Sequence, residues 1–397
     1  MIAYLKNIYH FLFASLSAVV CGFPAKKLTV IGVTGTKGKS TTAEYVNAIL
    51  EKAGYTTALA GTIRFKIGNE NTPNKTKMTM LGRGFLQRFL KKAVDKGCTH
   101  AVLELSSQGA LLHRHRFIPL SVLIFTGVHK EHIEAHGSFE AYVQSKLSLT
   151  KELKKSGTII AHKDSPYSEE FLKIPVEHKV SYVLSDAKNV VQNDRGISFD
   201  YKDQHVALHA PGTFNVLNAL ASLHTAESLG ISLSVASDAL STLPKVLGRV
   251  EFIDEGQLFD VVVDYAHTPD SLKALYEAFP TKDRICVLGN TGGGRDTWKR
   301  PEMAKIAETY CKEVILTDED PYNEDPQSIV NDMKKGMTKE PTIIMNRKDA
   351  IKHALSLATE NSVVLITGKG TDPYIMRKNG MKEPWSDATV TRELLKH

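Results

Sequence analysis

Residues 32–42 read Gly-Val-Thr-Gly-Thr-Lys-Gly-Lys-Ser-Thr-Thr. Glycines here let the backbone turn its N–H groups toward an anion, Lys39 brings a cation to phosphate oxygens, and the Ser40 hydroxyl is a ligand for Mg2+. The common spacing G-x-x-x-x-G-K-[ST] asks for glycine at 33, where Val33 stands. A tight strand-to-helix turn would explain the glycines alone. It does not explain Gly38-Lys39-Ser40 between an apolar run and a helical stretch, so nucleotide phosphate is the expected ligand.

A second chemical residue is Glu104, set among Val102, Leu103 and Leu105. A carboxylate in an apolar strand needs a partner or a metal. A nearby lysine would serve, but a Mg2+ ligand at the strand's carboxyl end is the favoured reading. His129, His132 and His136 form a third cluster. On a helix His132 and His136 share a face, yet Ile133 occupies the glutamate position of the zinc-hydrolase pattern, which disfavours zinc. Lys146 lies in a helical stretch and, by spacing alone, is a surface lysine.

The elements that must position these residues are short apolar runs at 28–35, 100–107, 121–128, 157–162, 259–266, 284–290, 313–318 and 362–370. They are apolar throughout, as are strands buried on both faces of a parallel sheet. Stretches such as 41–53 and 213–229 have helical spacing. The fold class is therefore α/β, a P-loop-type doubly wound central ATPase domain followed by a Rossmann-like C-terminal domain. Residues 188–210 alternate and carry Asn193-Asp194, which predicts antiparallel hairpins. The expected boundaries are an apolar helix over 1–27, a central domain over 28–246 and a C-terminal domain over 247–397.

The 397 residues are 42% hydrophobic and 24% charged, which excludes disorder and an integral membrane protein. A net charge of +6 without a basic, aromatic-interleaved run excludes nucleic acid as the expected partner. Lys151–Lys155 reads as a solvated helix end. Cys21, Cys98, Cys286 and Cys311 are scattered, so no structural zinc is expected, and single thiols suit a reducing cytoplasm. Residues 8–24 are apolar but carry His10, Ser15 and Ser17 and are short for a membrane span. A signal peptide would export an ATP site to where ATP is scarce. A helix docked on the body, or lying at a membrane surface, is expected instead.

Taken together, these motifs resemble the Mur ligase family, the ATP-dependent amide-forming enzymes of peptidoglycan precursor synthesis. The likeness runs in order from Thr34–Ser40 through Glu104-Leu105-Ser106-Ser107 and Glu131–Gly137 to Lys146. It continues with Gly212, Phe214, Asn215 and Asn218, then Gly248-Arg249, Asp264–Pro269, the stretch 289–301 and Gly368-Lys369-Gly370. Within the family the muramyl-tripeptide synthetases are the most similar subgroup. The resemblance implies a cytoplasmic ligase, a monomer or weak oligomer, that joins an amino acid to a muramyl-peptide-like acceptor through an acyl phosphate. It implies ATP contacts at Gly35, Thr36, Lys37, Gly38, Lys39, Ser40, Thr41, Asn218, Arg249, Asp264 and His267. It implies two Mg2+ sites drawing on Ser40, Glu104, His132 and a carbamylated Lys146, with Lys39, Lys146, His132 and Arg249 as catalytic groups. Substrate contacts are implied at Thr79, Ser106, Arg114, Arg295, Asp320, Tyr322, Gly368 and Asp372.

Departures from the family pattern shape the remaining expectations. About 27 residues precede the first strand, where the family carries a uridine-binding domain. Residues 1–24 stand in that place, with a membrane surface or a partner as their expected contact. The family asparagine after Thr126 is Gly127. The family's diaminopimelate motif Asp-Asn-Pro-Arg reads Glu319-Asp320-Pro321-Tyr322, so the arginine that would clamp a distal carboxylate is absent. Diaminopimelate is thus disfavoured, and Glu319, Asp320 and Asp372 suit a distal amine such as that of lysine. The alternatives are a folylpolyglutamate- or poly-γ-glutamate-synthase-like ligase and a non-catalytic nucleotide-binding subunit.

Overall fold

The computed structural model describes residues 2–82, 84–131 and 133–396, with side chains from residue 7 onward. The chain forms two compact units, one of residues 1–191, 198–208 and 213–244, the other of 192–197, 209–212 and 245–397.

In the first unit helix α1 (Ile2–Val20) precedes β1 (Thr29–Thr34), α2 (Lys39–Lys52), β2 (Thr57–Ala60), β3 (Arg64–Ile67) and β4 (Glu70–Pro73). Then come α3 (Phe85–Asp95), β5 (His100–Leu105), α4 (Ser107–Leu111), β6 (Leu120–Phe125), α5 (Ile133–His136) and α6 (Phe139–Leu147). β7 (Leu153–His162), α7 (Ser168–Leu172) and β8 (His178–Tyr182) complete an eight-stranded sheet of order β4-β3-β2-β5-β1-β6-β7-β8. The long apolar runs supply its centre. β5 is buried at every residue and β1 from Val30 onward, as expected of parallel strands covered on both faces. Thr34 pairs with Leu105 of β5 and with Phe125 of β6, so three strand ends finish level. Leu90, Leu103, Leu123 and Phe125 fill the core on one face, each such side chain contributing about 1.5–3 kcal/mol by burial.

The antiparallel hairpin of β3 and β4 is not signalled in the sequence, because both strands are short and β4, Glu-Asn-Thr-Pro, is polar and exposed throughout. Glu70 of β4 pairs with Lys92 (2.6 Å) and Lys96 (2.9 Å). The alternating stretch forms β9 (Lys188–Asn193), β10 (Gly196–Tyr201) and β11 (Gln204–Leu208), followed by α8 (Thr213–Ser228) and α9 (Leu233–Thr242). No helix among the described residues is long and apolar enough to cross a membrane.

The second unit carries β12 (Glu251–Phe252), β13 (Asp260–Asp264), α10 (Pro269–Glu277), β14 (Asp283–Leu288), α11 (Lys299–Tyr310) and β15 (Glu313–Leu316). They are followed by α12 (Pro326–Lys334), β16 (Thr342–Ile343), α13 (Arg347–Ser356), β17 (Ser362–Thr367), the hairpin of β18 (Tyr374–Met376) and β19 (Lys382–Pro384), and α14 (Asp387–Leu395). Its sheet runs β12-β13-β17-β14-β15-β16 and is parallel except for β12. The expectation of four single cysteines fails here. Cys286 and Cys311 form a disulfide with Cα atoms 6.1 Å apart, because the parallel register of β14 and β15 brings the start of β15 beside Cys286. Cys21 and Cys98 are free.

Candidate active site

The glycine loop leaves β1 and enters α2. Gly35 has φ 149° and Gly38 φ 79°, and a Cβ would lie 2.0 Å from Thr126 Oγ1 at the first and 2.3 Å from Asn218 Oδ1 at the second. Only glycine fits either place. Gly32 is different in kind. It sits inside β1, where a Cβ would press on Leu105 at 2.7 Å, and Val33 beside it is core. The phosphate cradle is therefore Gly35–Ser40, and the missing glycine at 33 falls outside it.

Neighbouring strand ends brace this cradle. Thr126 Oγ1 donates to Lys37 O at 2.6 Å, and Thr36 N–H donates to Gly127 O at 2.8 Å. The Thr36 hydroxyl bonds the Tyr142 hydroxyl at 2.7 Å and accepts from His129 N–H at 3.0 Å. Asn218 packs at the foot of the loop, and Thr42 Oγ1 donates to its Oδ1 at 3.4 Å. Lys39 folds over the loop and donates to Thr36 O at 2.9 Å. Ser40 and Thr41 lie in the first turn of α2, whose N–H groups and dipole favour an anion. Gly127 has φ 113°, and a Cβ would lie 2.7 Å from Ser165 Oγ, so an asparagine does not fit there.

Glu104 is 3% exposed. Its carboxylate accepts from Ser40 Oγ (3.0 Å), Thr62 N–H (2.7 Å) and Thr62 Oγ1 (3.0 Å). A hydroxyl from the phosphate loop and a strand-end carboxylate thus meet as hard oxygen donors, a pairing that fits Mg2+. Thr79 bonds Thr62 at 2.8 Å, one step behind. His132 lies outside the described residues, and among those described no three His, Cys, Asp or Glu side chains converge to hold a metal.

Lys146 is not a surface residue. It is 1% exposed, and its Nζ donates to Gly35 O at 2.6 Å, from beneath the loop. Burial, then the Lys39 cation, hold its ammonium well below the usual lysine range, against the opposing pull of Glu131 and Glu104. Burial, with Glu131 beside it, likewise pushes the Tyr142 phenol up. Ser106 caps α4 by accepting from Gly109 N–H at 3.1 Å. Arg114 reaches back to Met80 O, and burial lowers its guanidinium from the usual range.

In the second unit the remaining expected residues gather at the carboxyl ends of strands. Asp264 closes β13; its two oxygens accept from Val250 and Ala266 N–H at 2.7 Å each, which makes it a brace for both turns. Burial raises its carboxyl, against Arg249 and those N–H groups. The Arg249 guanidinium lies 4.5 Å over the Tyr265 ring, and His267 Nδ1 lies 2.7 Å from Tyr265 O. Gly368 has φ 103°, and a Cβ would meet Glu319 Oε2 at 2.1 Å. Tyr322 has φ 54°, and its ring packs on Gly293, two residues from Arg295. Of the three acids expected to meet a distal amine, Asp320 and Asp372 already share a cation of the protein itself. Lys369, fully buried, donates to Asp320 Oδ1 at 2.8 Å and lies 3.5 Å from Asp372 Oδ2. Two buried acceptors in this crevice, Asn290 Oδ1 and Glu319 Oε2, have no partner among the described residues.

Three bracing residues escaped the sequence reading as site members: Thr62, Thr126 and Tyr142. Thr126 had a signal, being the first polar residue after an apolar run. Thr62 had none.

A family model for the Mur ligase middle domain matches residues 33–226, and one for the Mur ligase glutamate ligase domain matches residues 248–370. The chain is 35% identical to the UDP-N-acetylmuramoyl-L-alanyl-D-glutamate--2,6-diaminopimelate ligase of Clostridium botulinum, over 96% of this chain and 81% of that protein. A solved structure of a ligase of the same name is 28% identical, with a TM-score of 0.63 over 93% of this chain and 78% of that one. Mycobacterium tuberculosis folylpolyglutamate synthase shares the fold, with a TM-score of 0.74 at 14% identity over 98% and 99% of the two chains.

Proposed function

The chain belongs to the Mur ligase family, and on that premise we propose that it is an ATP-dependent ligase joining an amino acid to a muramyl-peptide-type carboxylate. The observation that carries this reading is the convergence of the glycine loop, the Ser40–Glu104 pair and buried Lys146 at three level strand ends.

A carboxylate is a poor acylating agent. Its oxygen takes the γ-phosphoryl group of ATP, releasing ADP and forming an acyl phosphate. The amine of the amino acid then attacks the carbonyl carbon, and phosphate leaves with the bonding electron pair. Such transfer depends on positioning and on neutralising spread negative charge. Lys39, which donates to Thr36 O on the loop, would turn its ammonium to the phosphates, and the N–H groups of the loop would hold them in place. Ser40 and Glu104 would hold Mg2+, which when bound neutralises charge on the transferring phosphoryl group. The lowered Lys146 amine fits carbamylation, because only the neutral amine adds CO2, and the product offers an anionic oxygen at the site. In the second unit Asn290 Oδ1 and Glu319 Oε2 suit the donors of an incoming amino acid. Diaminopimelate is not carried over from the relatives, since Tyr322 stands where their arginine is expected.

We also assign the reaction to the cytoplasm, where ATP is available. The exposed apolar face of α1 lies against a membrane surface there. Flotation of the full chain with anionic vesicles tests that contact, and recovery only in the unbound fraction would refute it. The ligase reading is tested by phosphate release screened over amino acids and muramyl-peptide acceptors. Release that requires both substrates is expected; release independent of the amino acid would overturn the reading.

A further inference from the structure

A cavity of about 680 Å3 lies under α1 in the first unit. The helix is seated at two places along its length. Phe11 packs on His113 and Phe117, with centroids 5.7 and 5.6 Å apart. Further along, Ser17 lies so close to Gly84 that a Cβ there would be 2.4 Å from its Oγ. Tyr9, Phe13 and Ala14 of the helix form one wall of the cavity, and Leu81, Phe85 and Leu112 form the other.

The polar groups in this apolar space are selective. Arg88, Arg114 and Arg116 enter it, and no acidic side chain lines it among the described residues. Arg116 is engaged by Glu152 at 2.7 Å. Arg114 lies flat on Gly82, where a Cβ would be 3.3 Å from Nη2, and donates only through Nη1, to Met80 O, among the described residues. Gln87, 3% exposed, turns an Oε1 with no partner among the described residues into the same lining. The site therefore offers cations to a phosphate and one acceptor to a hydroxyl or amide N–H. Outside the cavity the apolar surface continues along α1 through Tyr9 (59% exposed), Leu12 (59%), Leu16 (61%) and Val20 (74%). No Asp or Glu precedes Glu44 in the chain.

We propose that this cavity holds the non-reacting end of the acceptor, a phosphate or diphosphate carried on a long apolar chain. The phosphate sits on Arg114 and Arg88, and the chain runs between Tyr9, Phe13 and Phe85 and out along α1. A nucleoside diphosphate shares the phosphate chemistry, but the apolar walls and the exposed stripe that continues them favour a hydrocarbon chain. The word acceptor rests on the ligase reading; the site itself does not.

The test is calorimetric titration of the full chain with dodecyl phosphate, dodecyl maltoside and UDP, each below its micellar concentration where one exists. Dodecyl phosphate is expected to bind at least about tenfold tighter than the other two. Ala14→Trp, which puts an indole into the cavity, and Arg88→Glu, a charge reversal at an exposed position, should each weaken it by about tenfold or more, with ATP affinity unchanged as the check on folding. Equal binding of dodecyl maltoside, tighter binding of UDP, or an unaltered affinity in an Arg88→Glu chain that still binds ATP would each overturn the proposal. Phosphate release that stays independent of the amino acid, with dodecyl phosphate bound as expected, would sink the ligase reading alone. Turnover without dodecyl phosphate binding would sink this site alone.

Discussion

Replacing Lys369 with methionine keeps an unbranched side chain one atom shorter and removes its charge. In the structure that ammonium is fully buried and donates to Asp320 Oδ1 at 2.8 Å and Tyr374 O at 2.9 Å, with Asp372 Oδ2 at 3.5 Å. Asp320 and Asp372 are only 5% and 9% exposed. At an effective dielectric constant of about 20, each ion contact is worth roughly 5–6 kcal/mol before desolvation. Removing one partner of a buried pair costs about 3–5 kcal/mol net, and here two carboxylates lose the same cation. The expected loss is thus about 4 kcal/mol, or a Tm lowered by about 8–16 °C for a unit of this size. Scanning calorimetry of the full chain measures it, with the ATP-sensitive transition as internal reference for the first unit. Adding Asp320→Asn and Asp372→Asn to Lys369→Met should restore most of the loss, because no buried charge is then stranded. A Lys369→Met chain within about 1 kcal/mol of the parent would refute the reasoning and return both acids to the role of binding a substrate cation.

Lys146→Ala should abolish turnover, with partial recovery on adding acetate or formate, as phosphate-release assays would show; full activity in the unsupplemented variant would remove the carbamate from the mechanism. In the parent, acid protonates the Lys146 amine and removes the form that takes CO2. The kcat at fixed bicarbonate should therefore fall as pH drops through that lowered pKa. Gly38→Ala should weaken ATP binding by at least about tenfold, through its positive φ and the clash with Asn218. Gly54→Ala, also at positive φ but facing open space, should leave ATP binding unchanged in a fluorescent-nucleotide titration. Burial, aided by Arg116, holds His115 down at about 3. The unfolded chain takes up that proton below about pH 6.5, so stability present at neutral pH is lost as pH falls, by about 2 kcal/mol at pH 5. His115→Gln should flatten denaturation midpoints between pH 6.5 and 4; an unchanged slope would show that His115 does not control them.

The phosphate loop was legible because its glycines, Lys39 and Ser40 are contiguous and follow an apolar run. The parallel sheets were legible because a strand buried on both faces needs apolar residues at every position. Lys146 was not legible as a site residue, since helical spacing says nothing of what packs against the helix, and its partner, Gly35 O, lies 111 residues away. Charge counting misread Asp320 and Asp372 because their cation, Lys369, lies 49 residues from the first. The Cys286–Cys311 pair was hidden by a separation of 25 residues across a helix. Thr62 comes from a segment without periodicity, and only the fold shows that it holds Glu104.

The outermost strand of the large sheet carries a consequence for life at high concentration. β4 ends the sheet with Glu-Asn-Thr-Pro, exposed at every residue. Pro73 has no N–H to lend to an incoming strand, and Glu70 is tied to Lys92 and Lys96 of the neighbouring helix. A second molecule meeting this edge finds charge and an interrupted ladder instead of a template, which protects the eight-stranded sheet from edge-to-edge aggregation while the protein is crowded or newly made.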